Sequence, residues 1–131
     1  MTFGPHLTID GKGCDFDMLR DINLVYKALN ELPNIIGMTK MTLPYVVPWK
    51  DKWAEVPGIS GFVMIAESHI SIHTFPEDDY VFIDIFSCKG FDTDIAIKYF
   101  KKLFGIRKMT LNLVKRGLDF PRNKIKAEVV V

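Results

Sequence analysis

The 131-residue sequence predicts a two-layer α+β sandwich, an antiparallel sheet with two helices packed on one of its faces. Three observations support this. Residues 61–66, 69–75 and 80–86 are strand-like runs with short separations, the mark of an antiparallel meander. Residues 18–32 and the stretch from about 92 to 104 instead repeat apolar side chains at helical spacing. Helices that come after groups of strands, rather than alternating with each strand, belong on one side of a shared sheet.

The elements follow in order. His6-Leu7-Thr8-Ile9-Asp10 alternates polar and apolar residues, as a half-buried strand does. Gly11 and Gly13 end it, and Asp15 and Asp17 offer helix caps. In the first helix Leu19, Ile22, Tyr26 and Leu29 mark the buried stripe, and Pro33 closes it. Residues 35–43 read as a strand interrupted by Gly37. Residues 44–58 hold three prolines, one glycine and both tryptophans, so an irregular loop is expected there. Trp49 and Trp53 either anchor that loop to the core or present aromatic surface. After the meander, the second helix buries Ala96, Ile97, Phe100, Leu103 and Phe104. It carries Lys101 and Lys102 in its last turn and stops at Gly105. Met109, Leu111 and Leu113 mark another strand, and residues 124–131 are expected to add a last one.

Bulk properties exclude more than they assign. A net charge of +1 supplies no long-range field for nucleic acid or an anionic membrane. No run approaches the roughly 20 apolar residues that cross a bilayer, and the N-terminus lacks a signal-peptide pattern. Cys14 and Cys88 lie far apart without metal-ligand spacing, which suits a reducing compartment. The expectation is a single cytoplasmic domain over residues 1–131, and these bulk properties say nothing about its chemistry.

Chemistry concentrates around residues 67–88. On the strand 69–75, His69, Ser71, His73 and Phe75 share one face, and Ile70, Ile72 and Thr74 the other. His69 and His73, four residues apart, are about 13 Å distant at ~3.3 Å per residue, too far to share one metal ion. A hairpin around residues 76–79 sets Phe75 against Tyr80, His73 against Phe82 and Ser71 against Asp84, and brings Cys88 beside the Glu67–Ser68 bond. The preceding strand is expected to lay Ser60 along Phe75 and Phe62 along His73, gathering two serines, a histidine and a thiol in one small region. A Ser-His-Asp hydrolase has weaker support, because the sequence has no Gly-x-Ser-x-Gly elbow.

At these residues the chain resembles the short, prokaryotic class of S-adenosylmethionine decarboxylase. Glu67-Ser68-His69 with Ile72-His73-Thr74-Phe75-Pro76-Glu77 is similar to that family's processing site, and Asp84-Ile85-Phe86-Ser87-Cys88 to its catalytic cysteine segment. Gly58-Ile59-Ser60-Gly61 and Gly4-Pro5-His6-Leu7 are supporting pieces. The resemblance implies a proenzyme that cuts itself between Glu67 and Ser68 into a β chain of residues 1–67 and an α chain starting at residue 68. It also implies a pyruvoyl cofactor made from Ser68 in place of pyridoxal phosphate, with no metal. By the same resemblance, residue 68 forms a Schiff base with substrate, His73 assists processing, Ser60 supports it, and Cys88 is the proton donor. Glu77 and Phe75 bind substrate through its ribose and adenine. The family further implies a role in polyamine (spermidine) biosynthesis and homodimers of αβ units with the active site at the subunit boundary.

The sequence departs from the family pattern at Phe75, where tryptophan is common, at Lys89, where glycine is common, in residues 44–57, and after Gly117. Trp53 and Tyr45 are the candidates for a second adenine-stacking residue. The rival readings are a pyruvoyl-dependent decarboxylase of arginine or another basic amino acid, and a non-catalytic partner subunit of the same fold.

Overall fold

The computed structural model describes residues 2–121, so the strand expected over 124–131 lies outside the described residues. Among the described residues six strands are present: β1 (Gly4–Lys12), β2 (Tyr45–Trp49), β3 (Gly58–Ile65), β4 (Ser68–Phe75), β5 (Tyr80–Ser87) and β6 (Lys108–Arg116). They form one sheet in the order β2-β3-β4-β5-β1-β6, and every neighbouring pair is antiparallel. Three α-helices, α1 (Phe16–Leu19), α2 (Ile22–Ile35) and α3 (Thr93–Phe104), complete the described elements with a 3-10 turn at Pro76–Asp78.

Apolar side chains of α2 and α3 join the inward residues of β1, β3, β4 and β5 in one buried cluster, so the two long helices cover the same face of the sheet. Ile70 and Ile72 are fully buried and Thr74 nearly so, as the two-residue period requires. Thr74 is a polar member of that face, and its hydroxyl is satisfied. It donates to the Leu19 carbonyl (2.7 Å) and accepts from the Ile59 N–H (3.0 Å).

The first helical segment differs from the single helix expected. Asp21 interrupts it by capping a new helix, its carboxylate accepting from the N–H groups of Asn23 and Leu24. The buried stripe of α2 is Val25, Ala28, Leu29 and Leu32, while Ile22 and Tyr26 face outward. Pro33 lies inside the last turn instead of closing the helix. The helix ends two residues later, and the Pro33 carbonyl accepts from the Met38 N–H (2.7 Å). Residues 35–43 are therefore no strand: they are the end of α2 and a turn, joined to β3 by an isolated bridge between Lys40 and Ile65.

Residues 44–58 are more ordered than an irregular loop. Tyr45–Trp49 pairs with β3 as an edge strand, where the missing N–H of Pro48 is tolerated. Trp49 and Trp53 are 71% and 81% exposed, so they anchor nothing in the core. By contrast α3 matches expectation. Asp92 caps it at the Ile95 N–H (3.2 Å), worth roughly 1 kcal/mol. Gly105 ends it in the left-handed conformation that only glycine adopts without strain.

Candidate active site

The meander places the site residues at the two ends of β4. The turn Ala66-Glu67 joins β3 to β4 with Ile65 opposite Ser68, and Ser68 opposite Ser87 on the other side. The backbone N–H of Cys88 donates to the Glu67 carbonyl at 2.9 Å. The acceptor is the carbonyl of the peptide bond that joins Glu67 to Ser68. The side chain of Glu67 accepts from the Thr39 N–H (3.1 Å), so the acidic residue is tied at both its side chain and its carbonyl.

Ser68 has φ 156°, a backbone conformation rarely adopted by L-residues other than glycine. A residue held this way stores about 1–3 kcal/mol. Ser87, fully buried, holds the neighbouring segment: its hydroxyl accepts from the Lys89 N–H (2.9 Å) and donates to the Lys89 carbonyl (2.7 Å). Lys89 reaches the Gly37 carbonyl with its ammonium at 2.9 Å. Gly4 completes this end. A Cβ there would sit 1.8 Å from the Ser87 carbonyl oxygen, so only glycine lets β1 approach so closely.

At the other end, Ser60 Oγ hydrogen-bonds His73 Nδ1 (2.9 Å) across the β3–β4 pair. The expected register was two residues off: Ser60 faces His73 and Phe62 faces Ser71, because the connecting turn is only two residues long. A two-residue shift leaves every side chain on its face, so the outward set survives. The β4–β5 pairs Phe75–Tyr80, His73–Phe82 and Ser71–Asp84 occur as expected. Beyond them a cleft of about 280 Å³ is lined by Trp49, Trp53, Ser60, Phe75 and Glu77. Phe75 is 45% exposed and packs edge-on to Phe82. Glu77 turns one carboxylate oxygen to the N–H groups of Glu55 (2.8 Å) and Val56 (3.1 Å), so it also holds the loop that carries Trp53.

The gathering of serines, histidine and thiol into one small region does not occur within one chain. Ser68 and His73 are five positions apart on a single strand, roughly 16 Å at ~3.3 Å per residue. The Glu67–Ser68 bond and Cys88 lie at one end, the Ser60–His73 pair at the other.

A third cluster lies on the open face, where sequence reasoning assigned no role. Asp84 Oδ2 is hydrogen-bonded by His6 Nε2 (2.7 Å) and His69 Nε2 (3.0 Å), and Ser71 donates its hydroxyl to Oδ1. Burial pushes the carboxyl upward, but the bonds from Ser71, His6 and His69 together outweigh it and hold its pKa below the usual value. A guanidinium nitrogen of Arg116 lies 3.2 Å from His6 Nδ1. Arginine can only donate, so Nδ1 is the acceptor and the ring proton sits on Nε2, facing Asp84. The metal test above concerned His69 and His73. Among the described residues the group whose ligand atoms come within 4.8 Å of one another is instead His6, His69 and Asp84. A metal on Nε2 of His6 would move the proton to Nδ1, against the Arg116 donor, so hydrogen bonding suits this cluster better. The signals for it were the two outlying motif pieces, Gly4-Pro5-His6-Leu7 and the Asp84–Cys88 segment.

The two cysteines differ as their settings do. Cys14 is buried, and burial, aided by the Asp79 charge, pushes its thiol up to about 11, which keeps it protonated and inert. Cys88 is half-buried beside the Glu67–Ser68 bond.

The chain is a two-layer α+β sandwich in which a constrained Glu-Ser turn lies beside a free thiol. Comparison with known proteins narrows this. The sequence model described as S-adenosylmethionine decarboxylase matches residues 5–117. An S-adenosylmethionine decarboxylase proenzyme of Clostridium botulinum is 36% identical over 115 residues, covering 87% of this chain and 94% of the relative. One from Geobacillus kaustophilus is 34% identical over 128 residues, covering 98% and 94%. The chain belongs to the S-adenosylmethionine decarboxylase family. Its fold is also that of the crystal structure of the Aquifex aeolicus adenosylmethionine decarboxylase, with a TM-score of 0.77, 24% identity, and 92% and 95% of the two chains covered.

Proposed function

We propose that this chain is a single-domain proenzyme that cuts itself between Glu67 and Ser68 and then decarboxylates S-adenosylmethionine, supplying the aminopropyl donor of spermidine synthesis. The observation that carries the reading is the Cys88 N–H bound to the Glu67 carbonyl. A cut at that bond begins with attack of Ser68 Oγ on this carbonyl, which moves negative charge onto its oxygen. A backbone donor already 2.9 Å away is the right group to stabilise that charge. The amide becomes an ester, and the nitrogen of residue 68 becomes an amine. Loss of the Ser68 α-proton then expels the Glu67 carboxylate, and water releases ammonia, leaving a pyruvoyl group at residue 68. The residues present fit that group: the unusual φ of Ser68 is defined by its peptide nitrogen, and conversion removes that nitrogen and the strain with it.

A pyruvoyl carbonyl supplies an electron sink for loss of carbon dioxide from an amino acid. The chain's own residues do the rest. Cys88, next to residue 68, returns a proton to the substrate carbon. Phe75 and Trp53 offer aromatic faces for adenine and Glu77 a carboxylate for the ribose hydroxyls, serving substrate joined to residue 68 of a second copy, because their own residue 68 lies at the far end of β4. The aromatic lining suits a nucleoside better than a guanidinium, and the named relatives act on S-adenosylmethionine.

His73 and Ser60 are the base and its support for processing, and they serve the Ser68 of a second copy. The 16 Å estimated above separates them from their own Ser68, while the open face exposes Tyr45, Phe62, Met64, Phe75 and Phe82. An isologous homodimer through that face buries these side chains and lends each site the partner's pair. The two free thiols suit the reducing cytoplasm.

A denaturing mass spectrum tests the cut. Wild type is expected as two chains split at residue 68, the second starting with pyruvoyl. Ser68→Ala is expected as one chain of 15.0 kDa. Two fragments from the variant, or an uncut wild type after long incubation, would overturn the proposal. Release of labelled carbon dioxide from S-adenosylmethionine but not arginine checks the substrate.

A further inference from the structure

Self-cleavage creates a mechanical problem at the start of β4. Before the cut, the turn Ala66-Glu67 ties Ser68 to β3. Afterwards residue 68 is a chain end, and its conversion deletes the peptide nitrogen, its N–H and the hydroxyl. Nothing that can donate a hydrogen bond is left on it. Chain ends fray unless something holds them, yet the new carbonyl must stay beside Cys88. The first residue able to hold the end by its side chain is His69.

His69 Nε2 is bonded to Asp84 Oδ2 at 3.0 Å. Asp84 is itself restrained from two further directions, by His6 Nε2 of β1 at 2.7 Å and by the Ser71 hydroxyl of β4. Arg116 of β6 orients His6 from behind through Nδ1 and packs over the Phe86 ring at 4.2 Å. Side chains of β1 and β4 thus bond one carboxylate on β5, with β6 acting through His6, and of these bonds the one nearest the cleavage point is that of His69.

We propose that Asp84, braced by His6 and Ser71, is a positioning residue that clamps His69 and so holds the newly made start of the downstream chain in place after cleavage. The clamp rests on the self-cleavage reading above and acts after it. Its contribution is small while the turn is intact, because the covalent bond to Glu67 does the same work.

Hydrogen–deuterium exchange read by mass spectrometry tests this on the full-length protein. The peptide covering the start of β4 is compared in cleaved wild type, cleaved Asp84→Asn, and both sequences in the uncut Ser68→Ala background. The expected result is exchange at least about tenfold faster in cleaved Asp84→Asn than in cleaved wild type, with less than about a twofold difference between the uncut pair. His69→Phe, which keeps a ring but loses the tether, is expected to give the same pattern. In the cleaved variants kcat falls while KM for S-adenosylmethionine stays within about twofold, because the binding cleft is at the other end of β4. Equal protection in the cleaved pair, or equal loss in cut and uncut forms, would overturn the clamp. So would failure of both variants to be cut, since that places the cluster before cleavage. An uncut wild type would instead overturn the self-cleavage reading itself, and the mass spectrum separates the two cases.

Discussion

The two ends of β4 are built on different principles. At the Ser68 end the working parts are main-chain groups: the Cys88 N–H on the Glu67 carbonyl, the close approach of Gly4 to Ser87, and an unusual φ at Ser68. At the His73 end they are exposed side chains, with Ser60 hydrogen-bonded to His73 and aromatic rings around a cleft. Main-chain geometry is rigid and hard to alter without moving strands, whereas exposed side chains can vary with the molecule they meet. The positions that depart from the family pattern follow this division in part. Phe75 and the loop of Trp53 lie at the side-chain end. Lys89 is the exception near the main-chain end, where it braces the Gly37 carbonyl.

The largest effect should come from separating the ends onto different molecules. His73→Ala and Ser68→Ala are each expected to stay uncut alone. Unfolded together and refolded, they should yield cleavage of up to about a quarter of all chains: half the dimers are mixed, and one chain of each such dimer has both Ser68 and a partner His73. No cleavage in the mixture would break the shared-site comparison. Cys88→Ala should sharpen it. Its backbone N–H remains, so self-cleavage persists, while decarboxylation falls by about 10²–10⁴-fold with the loss of the proton donor. A mass spectrum and a carbon dioxide assay on the same sample read both. The smallest effect is expected from Gly4→Ala, where a methyl driven against the Ser87 carbonyl should cost about 1–3 kcal/mol in a denaturant titration. It should also slow cleavage, because the displaced segment carries the Cys88 N–H.

Much of the arrangement was legible beforehand because strand pairing is a counting problem. Once Pro76–Asp78 made the turn, the β4–β5 pairs down to Ser71–Asp84 followed from the two-residue period. The β3–β4 register was harder to read, since a two-residue slip keeps all faces and leaves no trace in the hydrophobic pattern. Asp21 falls inside the helical window 18–32, where a capping aspartate and a surface aspartate look alike. The edge strand at Tyr45–Trp49 was hidden by Pro48, which argues against a strand everywhere except at an edge.

Local signals by themselves determined the sandwich and the inward faces of its strands, because those rest on spacing along the chain, whereas Ser68, His73, Ser60 and Cys88 were singled out by their resemblance to a family pattern. Only the tertiary structure decided which of them meet. Strand length set His73 apart from its own Ser68, and pairing of β1 with β5 brought His6 to an aspartate 78 positions away. Contacts of that range depend on the order of strands in the sheet, which neighbouring residues along the chain do not encode.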